Sequence, residues 1–211
     1  PVLTLPTEIT SEIFLQFLPP YPERPALAGR LSPSFLLRIC RTWRDVALST
    51  LWCAMRLYIW PPFQQRHLLE AWLRRSGSLP LSIAVQSELG VDSHLIIITP
   101  LMDAILSHAS RWQEMDIFLP FDILGLLTCS MPLLRSLTLG PSALLSSSDT
   151  EPPLALFMQA PNLEDVTLYE DFDPFRIMLP WSQITTLTAS PYVDEAAEML
   201  RNAPRLVNCT L

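Results

Sequence analysis

The stretch Met131–Leu139 reads MPLLRSLTL and places apolar residues at Leu134, Leu137 and Leu139. Alternation of this kind over a short run predicts a β-strand with one buried side. An earlier, less regular unit of the same kind is Leu81–Val85. The spacing apolar-x-x-apolar-x-apolar occurs in four further segments: Trp112/Met115/Ile117, Leu163/Val166/Leu168, Ile184/Leu187/Ala189 and Leu206/Cys209/Leu211.

The first positions of these five units are 22, 29, 21 and 22 residues apart. Those steps fall in the range of leucine-rich repeats, although the Asn that usually follows each strand in such repeats is absent. A proline precedes three of the strands and would end the preceding helix. The segments predicted as helices are 94–109, broken or delayed at Pro100, then Phe121–Cys129, Leu154–Gln159 and Val193–Asn202.

Strand and helix in alternation predict an α/β fold for residues 58–211: an irregular leucine-rich-repeat-like solenoid with a continuous parallel sheet. The alternative is an ordinary α/β domain whose strands are evenly spaced by chance. The last unit ends at Leu211 within a strand. We therefore expect the native chain to continue beyond this residue, because a repeat array needs a polar terminal cap.

The N-terminal region carries apolar residues at every fourth position, namely Leu5, Ile9, Ile13 and Phe17. This spacing predicts a helix that starts at Pro6 and ends before Pro19-Pro20. Residues 19–33 are rich in proline and are predicted to form a loop. A second helix is predicted from Ser32-Pro33, with one apolar side: Leu36, Ile39, Cys40, Trp43, Val46 and Ala47.

Periodicity alone makes these two helices a small helical core. Such short helices cannot enclose a core by themselves, because ordering each residue costs about as much as burying an apolar side chain contributes. Their remaining apolar surface must pack on the rest of the chain or on another protein.

Several motifs of this region together resemble an F-box. They are Leu5-Pro6-Thr7-Glu8-Ile9, Ile13-Phe14, Ile39–Ala47 (ICRTWRDVA) and Leu51-Trp52. The segments Trp72–Leu81 (WLRRSGSLPL) and Leu179–Ile184 (LPWSQI) resemble sequences of the F-box-like families that are expanded in mushroom-forming fungi. Those relatives usually read STPxLW, whereas here Ser49-Thr50 run directly into Leu51-Trp52.

This resemblance implies that residues 1–57 dock on the Skp-type adaptor of an SCF-type cullin–RING ubiquitin ligase. The repeat region would then bind a target protein, and no residue of the chain would perform covalent chemistry. The alternative function is a protein–protein interaction scaffold with the same fold that belongs to no ligase. By this resemblance the adaptor-binding residues are Leu5, Pro6, Ile9 and Ile13, which match the family's adaptor-facing start, and Cys40, Trp43 and Val46, which match the second half of the motif. In that second half packing and adaptor contact are mixed, and core packing is the favoured role of Trp43.

Composition is consistent with a protein-binding role. The formal net charge is −7, which disfavours nucleic acid and anionic membrane surfaces as partners. All 14 basic residues are arginines, so no lysine side chain is present to accept ubiquitin. The four cysteines, Cys40, Cys53, Cys129 and Cys209, have no paired spacing and are predicted to be buried thiols in a reducing compartment. A cytoplasmic or nuclear location follows.

No motif for cofactor, metal or nucleophilic chemistry is present in the sequence. The five glycines form no phosphate-binding loop, and His67, His94 and His108 have no ligand spacing. No cofactor and no metal are therefore expected. The acidic run after the strand at Leu163–Leu168 predicts a solvated loop or, alternatively, a loop that binds a basic target. Its candidate target-binding residues are Glu170, Asp171 and Asp173.

Overall fold

The computed structural model describes residues 5–46, 49–59, 65–87, 91–125, 129–140, 153–169, 172 and 174–211. At the centre of this described part lies one sheet of seven strands, all parallel, whose order in the sheet is their order in the chain. The strands are β1 (Ala54–Ile59), β2 (Leu81–Ser87), β3 (Trp112–Phe118), β4 (Ser136–Leu139), β5 (Asp165–Leu168), β6 (Thr186–Ala189) and β7 (Asn208–Thr210).

Helices of very different length precede the sheet and connect its strands. The α-helices are α1 (Thr7–Phe17), α2 (Pro33–Leu36), α3 (Arg41–Val46), α4 (Arg66–Arg75), α5 (Val91–Leu106), α6 (Phe121–Leu124) and α7 (Val193–Asn202). Short 3-10 helices cover Ser49–Trp52, Ala109–Arg111 and Trp181–Gln183. Within the described residues, no helix combines the length and apolarity needed to cross a membrane.

The strands predicted from the repeated pattern are confirmed, and their registers agree with it. The middle apolar residues of the five units, from Met115 to Cys209, lie side by side across neighbouring strands. Because side chains alternate along a strand, this register places the apolar residues of β1 to β6 on one face. The prediction of an α/β chain with a parallel sheet is therefore confirmed.

That apolar face forms the core together with the helices. Trp72 of α4 and Met102 of α5 are buried in the same continuous cluster as Ile83 of β2 and Met115 of β3. Each large side chain removed from water in this way contributes roughly 1.5–3 kcal/mol. Arg111 fixes the turn before β2, because its guanidinium donates to the Leu79 carbonyl oxygen and to Ser76 Oγ, both at 2.7 Å.

The N-terminal helices join this core rather than forming a separate one. Phe14 of α1 is buried in the same cluster, and its ring meets the edge of Trp43 with a centroid distance of 4.9 Å. Trp52 packs against Trp72 of α4 at 5.0 Å, again edge to face. The boundary predicted between residues 57 and 58 lies inside β1. The helical segment and the first strand are therefore continuous in structure.

Several predictions of local structure are wrong, and packing explains most of them. Residues 154–159 form no helix, since Leu154 pairs with Ile177 in an isolated bridge. Helix α5 continues through Pro100 and begins at Val91, ahead of the predicted start. An internal proline costs about 3 kcal/mol. Burial of four residues on both sides of it offsets that cost: Ile98, Leu101, Met102 and Ile105.

The second predicted helix is divided into α2 and α3. Its predicted start is correct, because Ser32 Oγ accepts the Ser34 N–H at 3.2 Å and Pro33 occupies the first turn. The helix then ends after Leu36 and a new one begins at Arg41. The single apolar side predicted for it does not form, since Leu36 is buried and Ile39 is half exposed. The helix predicted at Phe121–Cys129 is also shorter, and β1 and α4 were not predicted.

The proline-rich segment 19–32 forms no helix and lies against the first edge of the sheet; Pro33, the last residue of the predicted loop, belongs to α2. Ala26 forms a parallel bridge with Arg56 of β1, and the Arg56 N–H donates to the Pro25 carbonyl oxygen at 2.8 Å. Gln65 Nε2 donates to the Tyr58 carbonyl oxygen at 3.0 Å. The loop and Gln65 therefore cover much of the edge that β1 would otherwise offer to another strand.

Candidate functional site

Helix α1 has apolar residues on two opposite sides. Phe14 is fully buried, whereas Leu5, Ile9 and Ile13 are 40%, 50% and 42% exposed. A helix turns by about 100° per residue, so Phe14 lies roughly 140° around the axis from Ile9. We call Leu5, Ile9 and Ile13 the outer stripe. One side of α1 therefore anchors the helix, and the outer stripe remains in contact with solvent.

The inward side of α1 also contains two hydroxyl residues, Thr10 and Ser11, which are buried. Thr10 Oγ1 donates to the Pro6 carbonyl oxygen at 3.1 Å, and Ser11 Oγ donates to the Thr7 carbonyl oxygen at 2.8 Å. These bonds to the preceding turn satisfy hydroxyl groups that would otherwise be costly to bury. The chain thus buries polar residues of α1 while leaving Ile9 and Ile13 outside.

The start of α1 fits the predicted docking motif in position. Pro6 is the residue immediately before the helix, and both Leu5 and Pro6 are exposed. The outer stripe extends along the helix from Leu5 to Ile13, about 12 Å at 1.5 Å per residue. The four predicted adaptor-binding residues of this segment, Leu5, Pro6, Ile9 and Ile13, are therefore brought together on accessible surface.

The second half of the predicted motif is less accessible than the first. Cys40 is half buried and its sulfur accepts the N–H of Trp43 at 3.4 Å, so it caps the first turn of α3. Trp43 is also half buried, against Phe14. Val46 is the last residue of α3, and its side chain lies outside the described part of the structure. Trp43 therefore packs α3 against the buried side of α1, and Cys40 caps α3.

Further apolar residues are exposed close to α1 in the fold. Phe35 of α2 is stacked on Phe17 of α1 with a centroid distance of 6.2 Å and an interplanar angle of 10°. Phe35 is 39% exposed, and its neighbours Leu31 and Ile39 are exposed as well. This stacked pair continues the apolar surface from the end of α1 towards α2.

A second surface is formed by the side of the sheet that points away from the core. We call it the polar face and define it by two rows of side chains that lie in register across the strands. The first row is Ala54, Ser82, Glu114, Ser136, Asp165, Thr186 and Asn208; the second is Arg56, Ala84, Asp116, Thr138, Thr167, Thr188 and Thr210.

Arg24 of the proline-rich loop is seated on the polar face. Its Nε donates to Ser82 Oγ at 2.7 Å, and its guanidinium forms ion pairs with Asp116 and Glu114. Ser82 Oγ in turn donates to Glu114 Oε2 at 2.6 Å. The Arg24 side chain is only 9% exposed, so this cluster fastens the loop across β2 and β3.

Asp165, two strands from Asp116, has a different environment. Among the described residues, no cation pairs with its carboxylate. Burial, with smaller contributions from the negative charges of Glu164 and Glu114, raises the pKa of Asp165 above its usual value. Its carboxylate therefore remains available to a positively charged group from outside the chain.

Aromatic side chains border the polar face at the ends of β3 and β5. The ring of Phe118 lies over Gly140, where an added Cβ would approach Phe118 Cδ1 to 2.0 Å. The same ring meets Tyr169 edge to face at 5.3 Å, and Tyr169 is 52% exposed. Glycine at position 140 thus allows two aromatic rings to meet across β4.

The described structure contains no group of three or more His, Cys, Asp or Glu side chains positioned to hold a metal ion. Burial, together with the nearby charge of Arg111, lowers the pKa of His108. The prediction of buried cysteines is wrong for Cys209, which is exposed, and the other three are half buried. Burial raises the pKa of Cys53 and of Cys129, which disfavours the thiolate form of both side chains.

The candidate target-binding residues Glu170, Asp171 and Asp173 lie outside the described residues. Sequence reasoning missed the polar face, although its signal is present: Ser, Thr, Glu and Asp alternate with the apolar positions from Ser82 onward. No family model, curated protein or solved structure matches this chain. A functional proposal therefore depends on the two surfaces and on the F-box resemblance.

Proposed function

We propose that this chain is a substrate-receptor subunit of an SCF-type cullin–RING ubiquitin ligase. In this proposal α1 docks on the Skp-type adaptor, and the repeat-like sheet region, a leucine-rich-repeat-like solenoid, presents a target protein. The observation that carries the proposal is the outer stripe. Leu5, Ile9 and Ile13 occupy the positions that match the adaptor-facing start of an F-box and are exposed in the folded chain.

The energetics of α1 support a partner on this side. A soluble helix normally turns its apolar residues inward and its polar residues outward. Here Thr10 and Ser11 are buried while Ile9 and Ile13 are not. Covering the half of Ile9 that is now exposed would contribute about 1 kcal/mol, and the stripe as a whole would contribute a few kcal/mol. The exposed stacked pair next to it enlarges the area available to the same partner.

The function would be exerted through proximity. A receptor that holds a target beside the ubiquitin-charged enzyme raises the effective concentration of the target's lysines. The chain would need only two binding surfaces for this task, with neither cofactor nor nucleophile. The non-ligase scaffold remains the competing proposal, and it predicts that no adaptor binds.

Co-expression with the Skp-type adaptor followed by affinity purification tests the proposal. The unaltered chain should retain the adaptor, and the variant Leu5→Ala/Pro6→Ala should lose most of it. Met158→Glu is the matched control, because Met158 is a half-exposed apolar residue of the sheet region. Retention of the adaptor by the Leu5→Ala/Pro6→Ala variant would show that α1 is not the docking element.

A further inference from the structure

We propose that the polar face of the sheet binds an extended, arginine- or lysine-containing segment of the target protein. This inference rests on the proposed function, since it names the chemistry of the segment that the receptor presents. The two in-register rows, the charge of the face and the seated Arg24 together favour this occupant.

The charge of the face selects for a basic segment. Between β3 and β7 its charged side chains are Glu114, Asp116 and Asp165, all acidic. Arg24 contributes one positive charge through its ion pairs with Glu114 and Asp116, and Arg56 of β1 contributes a second, so the face as a whole keeps one net negative charge. An acidic peptide or a nucleic acid would be repelled, and a basic segment would be attracted.

The shape of the second row allows a peptide backbone to come close. From β4 to β7 this row consists of threonines only, Thr138, Thr167, Thr188 and Thr210. Their hydroxyl groups donate and accept hydrogen bonds, and their short side chains leave room for a peptide backbone. Because Arg24 occupies the face across β2 and β3, the open part runs from β4 to β7. Four strands about 4.8 Å apart span roughly 14 Å, which corresponds to about four extended residues of a bound segment.

The fold itself demonstrates that a guanidinium fits on this face. Arg24 uses its Nε and both terminal nitrogens to contact Ser82, Glu114 and Asp116. Asp165 lies one strand beyond Ser136 in the same row as Ser82 and Glu114, beside hydroxyl groups on both sides. It therefore repeats, in simpler form, the carboxylate-and-hydroxyl environment that holds Arg24. We assign a basic residue of the target to Asp165.

Tyr169 provides a second contact for the same kind of segment. Its ring is half exposed and braced by Phe118. Aromatic faces attract arginine and lysine side chains. Asp165 and Tyr169 lie on the same side of β5, four residues or about 13 Å apart along the strand. A segment that runs along β5 could contact both with basic side chains about four residues apart, whereas a segment that crosses the strands would contact one of the two.

Fluorescence anisotropy with a labelled peptide of about nine residues, alternating arginine and serine, tests the assignment. The matched peptide carries citrulline in place of each arginine and so keeps the shape while losing the charge. We expect saturable binding of the arginine peptide and affinity at least about tenfold lower for the citrulline peptide. Absence of saturable binding, or equal binding of the two peptides, would overturn the proposal.

Protein variants locate the binding site. Asp165→Asn should weaken binding by about fivefold, as expected for loss of one partly exposed ion pair. Glu198→Gln removes the same charge from exposed surface of α7 and should change affinity less than about twofold. Thr188→Arg places a positive charge on the face and should also weaken binding. Equal effects of Asp165→Asn and Glu198→Gln would refute a site at Asp165.

The assay contains no adaptor, so its outcome is separate from that of the proposed function. A chain carrying Ile9→Asp should bind the arginine peptide with unchanged affinity. If the adaptor fails to bind while the peptide binds through Asp165, the ligase proposal fails and the polar face remains a binding surface. If the adaptor binds and the peptide does not, only the assignment of the polar face fails.

Discussion

Replacing one apolar residue on each side of α1 by alanine should give very different losses of stability. Phe14 is fully buried and contacts Trp43, so Phe14→Ala should lower the free energy of unfolding by about 3–5 kcal/mol. Ile9 is half exposed, so the same truncation there should lower it by about 1 kcal/mol. Phe14 belongs to the same core as the sheet, and its loss should therefore be felt by the whole chain.

Urea unfolding followed by tryptophan fluorescence measures this difference. With a slope of about 2 kcal/mol per molar urea, the two variants should differ in midpoint by roughly 1–2 M. Gln16→Ala, on the outer side of α1, is the control and should leave the midpoint near that of the unaltered chain. If Ile9→Ala were as destabilising as Phe14→Ala, the outer stripe would already be packed within the chain, and its assignment as open surface would be refuted.

Three further predictions concern the charged residues. In a double-mutant cycle of Arg24→Gln and Asp116→Asn, urea unfolding should give a coupling energy of about 1–2 kcal/mol; additive effects would show that the loop is not held by this pair. The pKa of Asp165 is raised in the folded state, so its proton is bound more tightly there than in the unfolded chain. The stability of the unaltered chain relative to Asp165→Asn should therefore fall as pH rises above about 4 and level off above the raised pKa. If this relative stability rose with pH instead, the pKa of Asp165 would be lowered on folding, contrary to the prediction. Arg201→Lys on the exposed surface of α7 should introduce a ubiquitin acceptor and shorten the cellular half-life, whereas Arg201→Gln should not; equal half-lives would leave the absence of lysine without a protective role.

The strands of the sheet were predictable where the spacing between repeats and the alternation of apolar residues within each strand indicate the same segment. From β3 to β7 each strand repeats the same apolar spacing, and one register satisfies all of them. β1 shows the same alternation at Met55, Leu57 and Ile59, which are all buried. It was not predicted because these residues directly follow the segment that resembles an F-box. The alternation of apolar residues was present in the sequence, but the predicted domain boundary between residues 57 and 58 divided the strand.

The local errors arise where tertiary packing overrides local preference. Residues 154–159 have helical spacing, yet Leu154 pairs with Ile177 and Phe157 is buried beside the sheet. Pro100 favours a break in α5, yet burial of the residues around it keeps the helix continuous. Neither contact can be read from a window of ten or fifteen residues, because the partners are distant in sequence.

The candidate site was predictable only in part for a related reason. Both Phe14 and the outer stripe are apolar, so periodicity does not reveal which side of α1 faces the core. The F-box resemblance supplied that orientation for Leu5, Ile9 and Ile13. The seating of Arg24 on Asp116 joins residues 92 positions apart and left no sequence signal. This ion pair can be identified only once the folded structure brings the two residues together.

Calorimetric titration of the purified chain with the purified Skp-type adaptor tests the central claim most directly. We predict saturable binding with a negative heat-capacity change, because the outer stripe would pass from water into an apolar interface. Ile9→Asp/Ile13→Asp should abolish this binding while lowering the unfolding midpoint by only about 1 M urea, so that the variant stays folded. No binding by the unaltered chain, or undiminished binding by the folded double variant, would contradict docking through α1.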